Sequence, residues 1–230
     1  MVHSIVNLLQ KVPLFQDFSE LELENMAPLF AVRSYKKGTV LFFEGDLGEE
    51  LFLVHTGVVK ISRLENSKEV TLALFRSGDF FGDMAIIRKG LTRSATAETM
   101  EDATLYQLSR TDFFKFLEVS PSLCLKLLEV TMDRLRRANE VIHDITLLDV
   151  RSRIMKTILR LAVEYGTENE EGILINVKLT HQQIANIVGT VRESVTKVLQ
   201  ELQDDNVIVI RKKMILVQDQ EALQQKICYL

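Results

Sequence analysis

Residues 179–208, LTHQQIANIVGTVRESVTKVLQELQDDNVI, decide how the last third of the chain folds. Thr180 stands where a helix N-cap belongs, and Ile184, Ile187 and Val188 recur behind it at helical spacing. Gly189 supplies a turn, and Val195, Val198, Leu199 and Leu202 give a second helix its inward face. Two short helices joined by a glycine turn make a helix-turn-helix. That packing leaves Val191, Arg192, Glu193, Thr196 and Lys197 on the outer, N-terminal part of the second helix, the part that reaches base edges in a DNA major groove. Their chemistry suits the reading of bases, since Arg bridges guanine O6 and N7, Glu accepts from cytosine N4, and Lys takes a guanine or a phosphate. The run VIVIRKKMILV, residues 207–217, reads as a hairpin with Arg211, Lys212 and Lys213 at its tip, suited to a phosphate backbone. Thr180, at the mouth of the motif, is counted with the DNA-facing set.

Working back toward the N-terminus, residues 151–165 are an amphipathic helix and TENEEGI, residues 167–173, reads as a polar loop. A domain boundary is expected close to Asp149, giving a winged helix-turn-helix unit over 150–230. Before it, a long helix is expected over about residues 121–148, started by Ser120 and Pro121. Cys124, Leu128, Thr131, Leu135, Ala138, Ile142 and Ile145 lie on one seam of it, at alternating spacings of four and three. Such a seam fits a second copy of the helix, hence a homodimer, and competes with a helix packed only on its own domain.

The front of the chain changes period. Residues 2–30 hold apolar residues at helical spacing, broken at Pro13 and ended near Pro28. From residue 31, short runs such as ELFLVHTG (50–57), VVKISRLE (58–65) and EVTLALFRSGD (69–79) alternate with glycines, as strands of a compact β-roll do. Thr111 is expected to cap the helix that follows them. The fold class is therefore α+β, with the β-roll and its long helix occupying residues 1–149. Inside the roll, GDFFGDMAIIRKGLTRSATAE (78–98) places a single Arg93 in an otherwise burial-prone stretch. An enclosed guanidinium requires an anion. Either a ligand supplies it or Asp83 pairs with Arg93.

Composition excludes several classes. The chain has 230 residues, 47% of them hydrophobic, with a net charge of −4. Residues 151–230 carry 11 Lys+Arg against 10 Asp+Glu, so a nucleic-acid partner is permitted without being announced. Cys124 and Cys228 are too few and too far apart for a zinc or iron–sulfur site. No HExxH, GxSxG or Walker loop is present, and no enzymatic activity is expected. Without a secretory leader or a long apolar run, a soluble, cytoplasmic protein with no membrane partner is expected.

With these residues in view, the chain resembles the CRP/FNR family of bacterial transcription regulators, in particular its catabolite-activator branch. The likeness covers nearly the whole length: EGD with GE (44–49), HTGVVKI (55–61), the long helix ending LLDV (147–150), and VRESVTKVL (191–199). The resemblance implies that 78–98 is a phosphate-binding cassette for a cyclic nucleotide such as cAMP, acting as an allosteric effector rather than a required cofactor. Gly82, Asp83, Met84 and Ala85 would present backbone N–H groups, and Arg93 and Ser94 would meet the cyclic phosphate. Asp83 stands where the family carries a Glu for the ribose 2′-hydroxyl. Ala138 and Asn139 match the long-helix positions that touch adenine; Asn139 offers a donor and an acceptor, Ala138 neither. Lys197 replaces a base-reading Arg and Val191 a phosphate-touching Ser. The implied protein is a homodimer on palindromic double-stranded DNA, with RNA polymerase as a further partner. The alternative is the same regulator with a vestigial cassette, constitutive or answering a redox or other signal through Cys124, Cys228, His3, His55 or His143.

Overall fold

The computed structural model describes residues 2–227, with the side chains of residues 2–4 and 119 left out. Cys228 and the His3 side chain, both weighed above as sensors, lie outside the described residues. Among the described residues two compact units are formed: residues 2–68 with 72–136, and residues 69–71 with 137–227.

The first unit opens with helices α1 (Val2–Leu9) and α2 (Glu20–Met26), the latter started by a Ser19–Glu22 capping box. Eight strands follow: β1 (Phe30–Tyr35), β2 (Val40–Phe42), β3 (Glu50–Thr56), β4 (Val59–Glu65), β5 (Lys68–Phe75), β6 (Phe80–Phe81), β7 (Thr96–Thr99) and β8 (Ala103–Ser109). They form two antiparallel sheets, ordered β1-β8-β3-β6 and β2-β7-β4-β5. A one-turn helix, α3 (Asp83–Ile86), interrupts the strands between β6 and β7. Phe52, Val54, Val59, Phe81, Ala97 and Leu105 fill one core of this roll, where Phe81 stacks on Phe52 at 5.1 Å and on Phe75 at 5.5 Å. Burying each such large apolar side chain contributes about 1.5–3 kcal/mol.

The helix after β8, α4 (Arg110–Val119), is capped by Ser109, whose Oγ accepts from the Asp112 N–H at 3.1 Å. Thr111 is thus already inside the helix; Ser109 takes the cap because the extended backbone of β8 ends there. Pro121 then starts α5 (Pro121–Leu147), the long helix. Leu123, Leu127 and Val130 of α5 pack into the second apolar cluster, with α1, α2 and α4. The seam residues Leu128, Thr131, Leu135, Ala138, Ile142 and Ile145 are all exposed in the single chain. One face of α5 is therefore held by its own domain and the other is bare.

In the second unit Asp149 caps α6 (Val150–Tyr165), its carboxylate accepting from the Ser152 N–H at 2.7 Å. Residues 167–173, expected as a polar loop, lie instead in a hairpin of β9 (Gly166–Asn169) and β10 (Gly172–Ile175). β9 is the edge of a sheet ordered β11-β12-β10-β9 and its residues are mostly exposed, so it lacks the alternation that marks a strand in sequence. Helices α7 (His181–Val188) and α8 (Arg192–Asp204) follow, then β11 (Ile208–Arg211), β12 (Met214–Val217) and α9 (Gln220–Gln225).

Candidate anion pocket and nucleic-acid interface

The candidate anion site is built where β6 turns into α3. Gly82, the N-cap of α3, has φ 88°, and a Cβ there would lie 2.8 Å from Arg93 Nη1 and 2.9 Å from the Glu50 carbonyl oxygen. The position is glycine both for its left-handed backbone and for the space the guanidinium occupies. Gly48 gives room on another side: its Cβ would stand 2.2 Å from Ala85 Cβ and 3.1 Å from Arg93 Nε.

Arg93 is 3% exposed. Its Nη1 donates to the Gly82 carbonyl at 3.1 Å and its Nη2 to the Glu50 carbonyl at 2.9 Å, with the Glu50 carboxylate 3.4 Å away. The guanidinium lies over the Phe42 ring at 4.2 Å. Its Nε is buried and has no hydrogen-bond acceptor. Burial pushes the Arg93 pKa below the ordinary value, opposed by the negative charges of Glu50, Asp46, Asp83 and Glu49.

Asp83 does not pair with Arg93. Its carboxylate, 6% exposed, accepts instead from Arg134 Nη1 of α5 at 2.7 Å, while Arg134 Nη2 donates to the Phe80 carbonyl at 2.7 Å. The Arg134 guanidinium also lies over the Phe80 ring at 4.7 Å. This clasp joins the first residue of α3 to the long helix, and sequence reasoning missed it. A signal existed: Leu123, Leu127, Val130 and Arg134 follow one another at spacings of four, three and four, which places a cation at the end of the packed stripe.

The other cassette residues take distinct places. Ala85 is buried, Met84 is 68% exposed, and exposed Ser94 donates its hydroxyl to the Met84 sulfur at 3.9 Å. Ala138 and Asn139 are both exposed on α5. Among the described residues no group of three or more His, Cys, Asp or Glu could hold a metal ion, and no helix is long and apolar enough to cross a membrane. Cys124 is exposed and unpaired, and the His55 ring lies 5.4 Å from that of Tyr106.

The helix-turn-helix is built as its sequence predicts, with one shift. Thr180 and Gln183 form a capping box, Gly189 closes α7 at φ 73°, and Val195, Val198, Leu199 and Leu202 are buried under α8. Ile187 is only half-buried; Ala185 fills the place beside Ile184 and Val188. Arg192, Glu193, Thr196 and Lys197 are exposed together on α8, and Val191, its N-cap, is 58% exposed. The Thr180 hydroxyl is engaged within its cap. Thr196 is positioned by two contacts: its hydroxyl donates to the Arg192 carbonyl at 3.0 Å, and His181 Nδ1 lies 2.8 Å from it. His181 is a second residue the sequence did not flag.

In the β11–β12 hairpin Lys212 and Lys213 hold φ of 51° and 67°, a tight turn with both central residues left-handed. Arg211, Lys212 and Lys213 are exposed at this tip, and Arg211 pairs with Glu171 of the β9–β10 turn at 2.9 Å. The Leu179 N–H donates to the Lys213 carbonyl at 2.9 Å, which fixes the basic tip beside the start of α7.

Residues 32–120 match the cyclic nucleotide-binding domain model and residues 152–226 the Crp-like helix-turn-helix domain model. The chain is 31% identical over 222 residues to the global nitrogen regulator of Synechocystis sp., covering 96% of this chain and 98% of that one. It is 28% identical to the CRP-like cAMP-activated global transcriptional regulator of Mycobacterium tuberculosis, over 95% and 98% of the two chains. The solved structure of the c-di-GMP responsive global regulator CLP of Xanthomonas campestris matches with a TM-score of 0.74 at 25% identity, covering 86% of this chain and 99% of that one. A match to the cyclic nucleotide-binding domain and to the Crp-like helix-turn-helix domain on one chain, with likeness over nearly the whole length to transcription regulators, places this protein in the CRP/FNR family of transcription regulators.

Proposed function

We propose that this regulator is a homodimer controlled by a small anionic effector in the β-roll, with a cyclic nucleotide such as cAMP as the first candidate. The observation that carries the reading is Arg93, a buried cation with an acceptor-less Nε, around whose guanidinium the backbone closes at Gly48 and Gly82. A phosphate oxygen would satisfy that donor through a charge-assisted bond. The exposed α5 seam, Leu128, Leu135, Ile142 and Ile145 among its residues, supports pairing with a second copy of the helix. Two recognition helices would then meet successive major grooves of a palindromic site, about 34 Å apart.

Occupancy reaches the dimer through a short physical route: ligand at Arg93, the α3 turn, the Asp83–Arg134 clasp, and α5. Repacking of α5 would pass to the DNA-reading unit through the junction that Asp149 caps. Coupling of this kind is typically about 1–3 kcal/mol, short of the roughly 5.5 kcal/mol of a complete switch, so a graded response is expected. Contact with RNA polymerase and a cytoplasmic location complete the proposal.

One observation favours a second reading. The Asp83 carboxylate is already held by Arg134 through Oδ1, so a ribose hydroxyl would have to use its second oxygen or compete with that clasp. An effector lacking that hydroxyl, or a cassette that no longer needs one, would fit the clasp as it stands. Calorimetric titration with cAMP and cyclic GMP, with operator affinity measured alongside, decides between the two. Binding that Arg93→Ala abolishes, together with a rise in operator affinity, supports the nucleotide; no heat with either ligand and unchanged operator affinity supports the second reading.

A further inference from the structure

The second unit carries a groove that neither the cassette nor the DNA-facing residues use. It is bounded by α6, α7, α9 and the last turns of α5, and encloses about 360 Å³. That falls within the roughly 300–1,000 Å³ of small-molecule sites. Leu159, Val163, Ile187 and Ile227 make much of its lining apolar.

The polar lining is unbalanced. Lys156 is paired with Asp144 at 2.5 Å and Arg137 with Glu164 at 3.6 Å, so four of the lining charges are matched. Arg153 and Arg160 remain, with Glu140 as the one further acid in the lining. Neither arginine forms an ion pair among the described residues, and the Nε of each is buried without an acceptor. Seven residues apart on α6, they share one helix face with about 10.5 Å of rise between them. A buried donor without an acceptor is a standing cost, which a carboxylate or phosphate oxygen removes.

We propose that this groove is a second ligand site, for an elongated organic anion with acceptor oxygens at both ends of an apolar body. The apolar lining takes the body, and the spacing along α6 sets the distance between the ends. The site is independent of the effector reading at Arg93.

The test uses the full chain and three probes of equal length: octanedioate, octanoate and 1,8-octanediol. The side-chain Nε–H signals of Arg153 and Arg160 are followed by NMR. Octanedioate should move both signals saturably, octanoate should bind more weakly, and the diol should move neither. Arg153→Lys keeps the charge and removes that Nε–H; read on Arg160, it should weaken octanedioate by about tenfold, the loss of one charge-assisted hydrogen bond. Arg160→Lys, read on Arg153, should do the same. Arg93→Ala should leave octanedioate binding in place, which separates this site from the cassette. Absence of any saturable shift, diol binding equal to octanedioate, or unchanged affinity in both lysine variants would overturn the proposal. Should the lysine variants fail to fold, the three-probe comparison on the unaltered chain decides alone.

Discussion

Replacing Arg134 by Leu removes the clasp while keeping an apolar stem on the packed face of α5. The Asp83 carboxylate and the Phe80 carbonyl each lose a donor at 2.7 Å. Breaking a buried pair by deleting one partner costs about 3–5 kcal/mol. Here the Arg134 side chain is 33% exposed, so water reaches the gap and the cost falls to about 2 kcal/mol. Asp83→Asn keeps one acceptor oxygen and should cost about 1 kcal/mol. With both changes the carboxylate that made Arg134→Leu expensive is gone, so the double variant should be more stable than the sum of the singles predicts, by about 1 kcal/mol. Because the chain has no tryptophan, urea unfolding is best followed by far-UV circular dichroism. If the two losses add within about 0.5 kcal/mol, Asp83 and Arg134 are not coupled in solution and the proposed route from cassette to α5 fails.

Three further outcomes are expected. Gly82→Ala combines a left-handed backbone, costing about 1–2 kcal/mol, with a Cβ 2.8 Å from Arg93 Nη1; its thermal midpoint should drop by several degrees and cease to respond to cAMP. Arg192→Ala should lose about 1–3 kcal/mol of specific DNA binding with non-specific binding unchanged, whereas equal losses on both DNAs would make Arg192 a phosphate contact. Asp149→Ala should cost about 1 kcal/mol near neutral pH through the lost cap of α6. The Ser152 N–H holds the Asp149 pKa below its ordinary value, so the cap's contribution is complete above about pH 3.9 and fades as acid protonates the carboxylate. Denaturant curves of the two proteins should therefore converge below that pH, and a constant gap would place the stabilisation elsewhere.

Much of this molecule is legible by local period alone. The cap at Thr180, the apolar spacing of α7 and α8 and the turn at Gly189 lie within one 30-residue window, and each follows from backbone geometry that a short peptide already imposes. The α5 seam is equally local, since its spacing of four and three is a property of one helix. Local signals also misled. Thr111 is as good a capping residue as Ser109, and only the end of β8 selects between them. The TENEEGI hairpin has no inward face to pattern, so its polar residues look like a loop.

What tertiary structure alone decided is which charges meet. Arg134 reaches Asp83 across 51 residues and Arg93 reaches Glu50 across 43, pairings that exist because the roll closes and α5 lies against it. Sequence by itself marked Arg93 as a cation in need of an anion. It left Asp83 as one candidate partner, and the fold gave that carboxylate to another arginine. The physical reason is range: helix and strand periods are written within a few residues, while a buried ion pair is specified by every element that brings its two ends together.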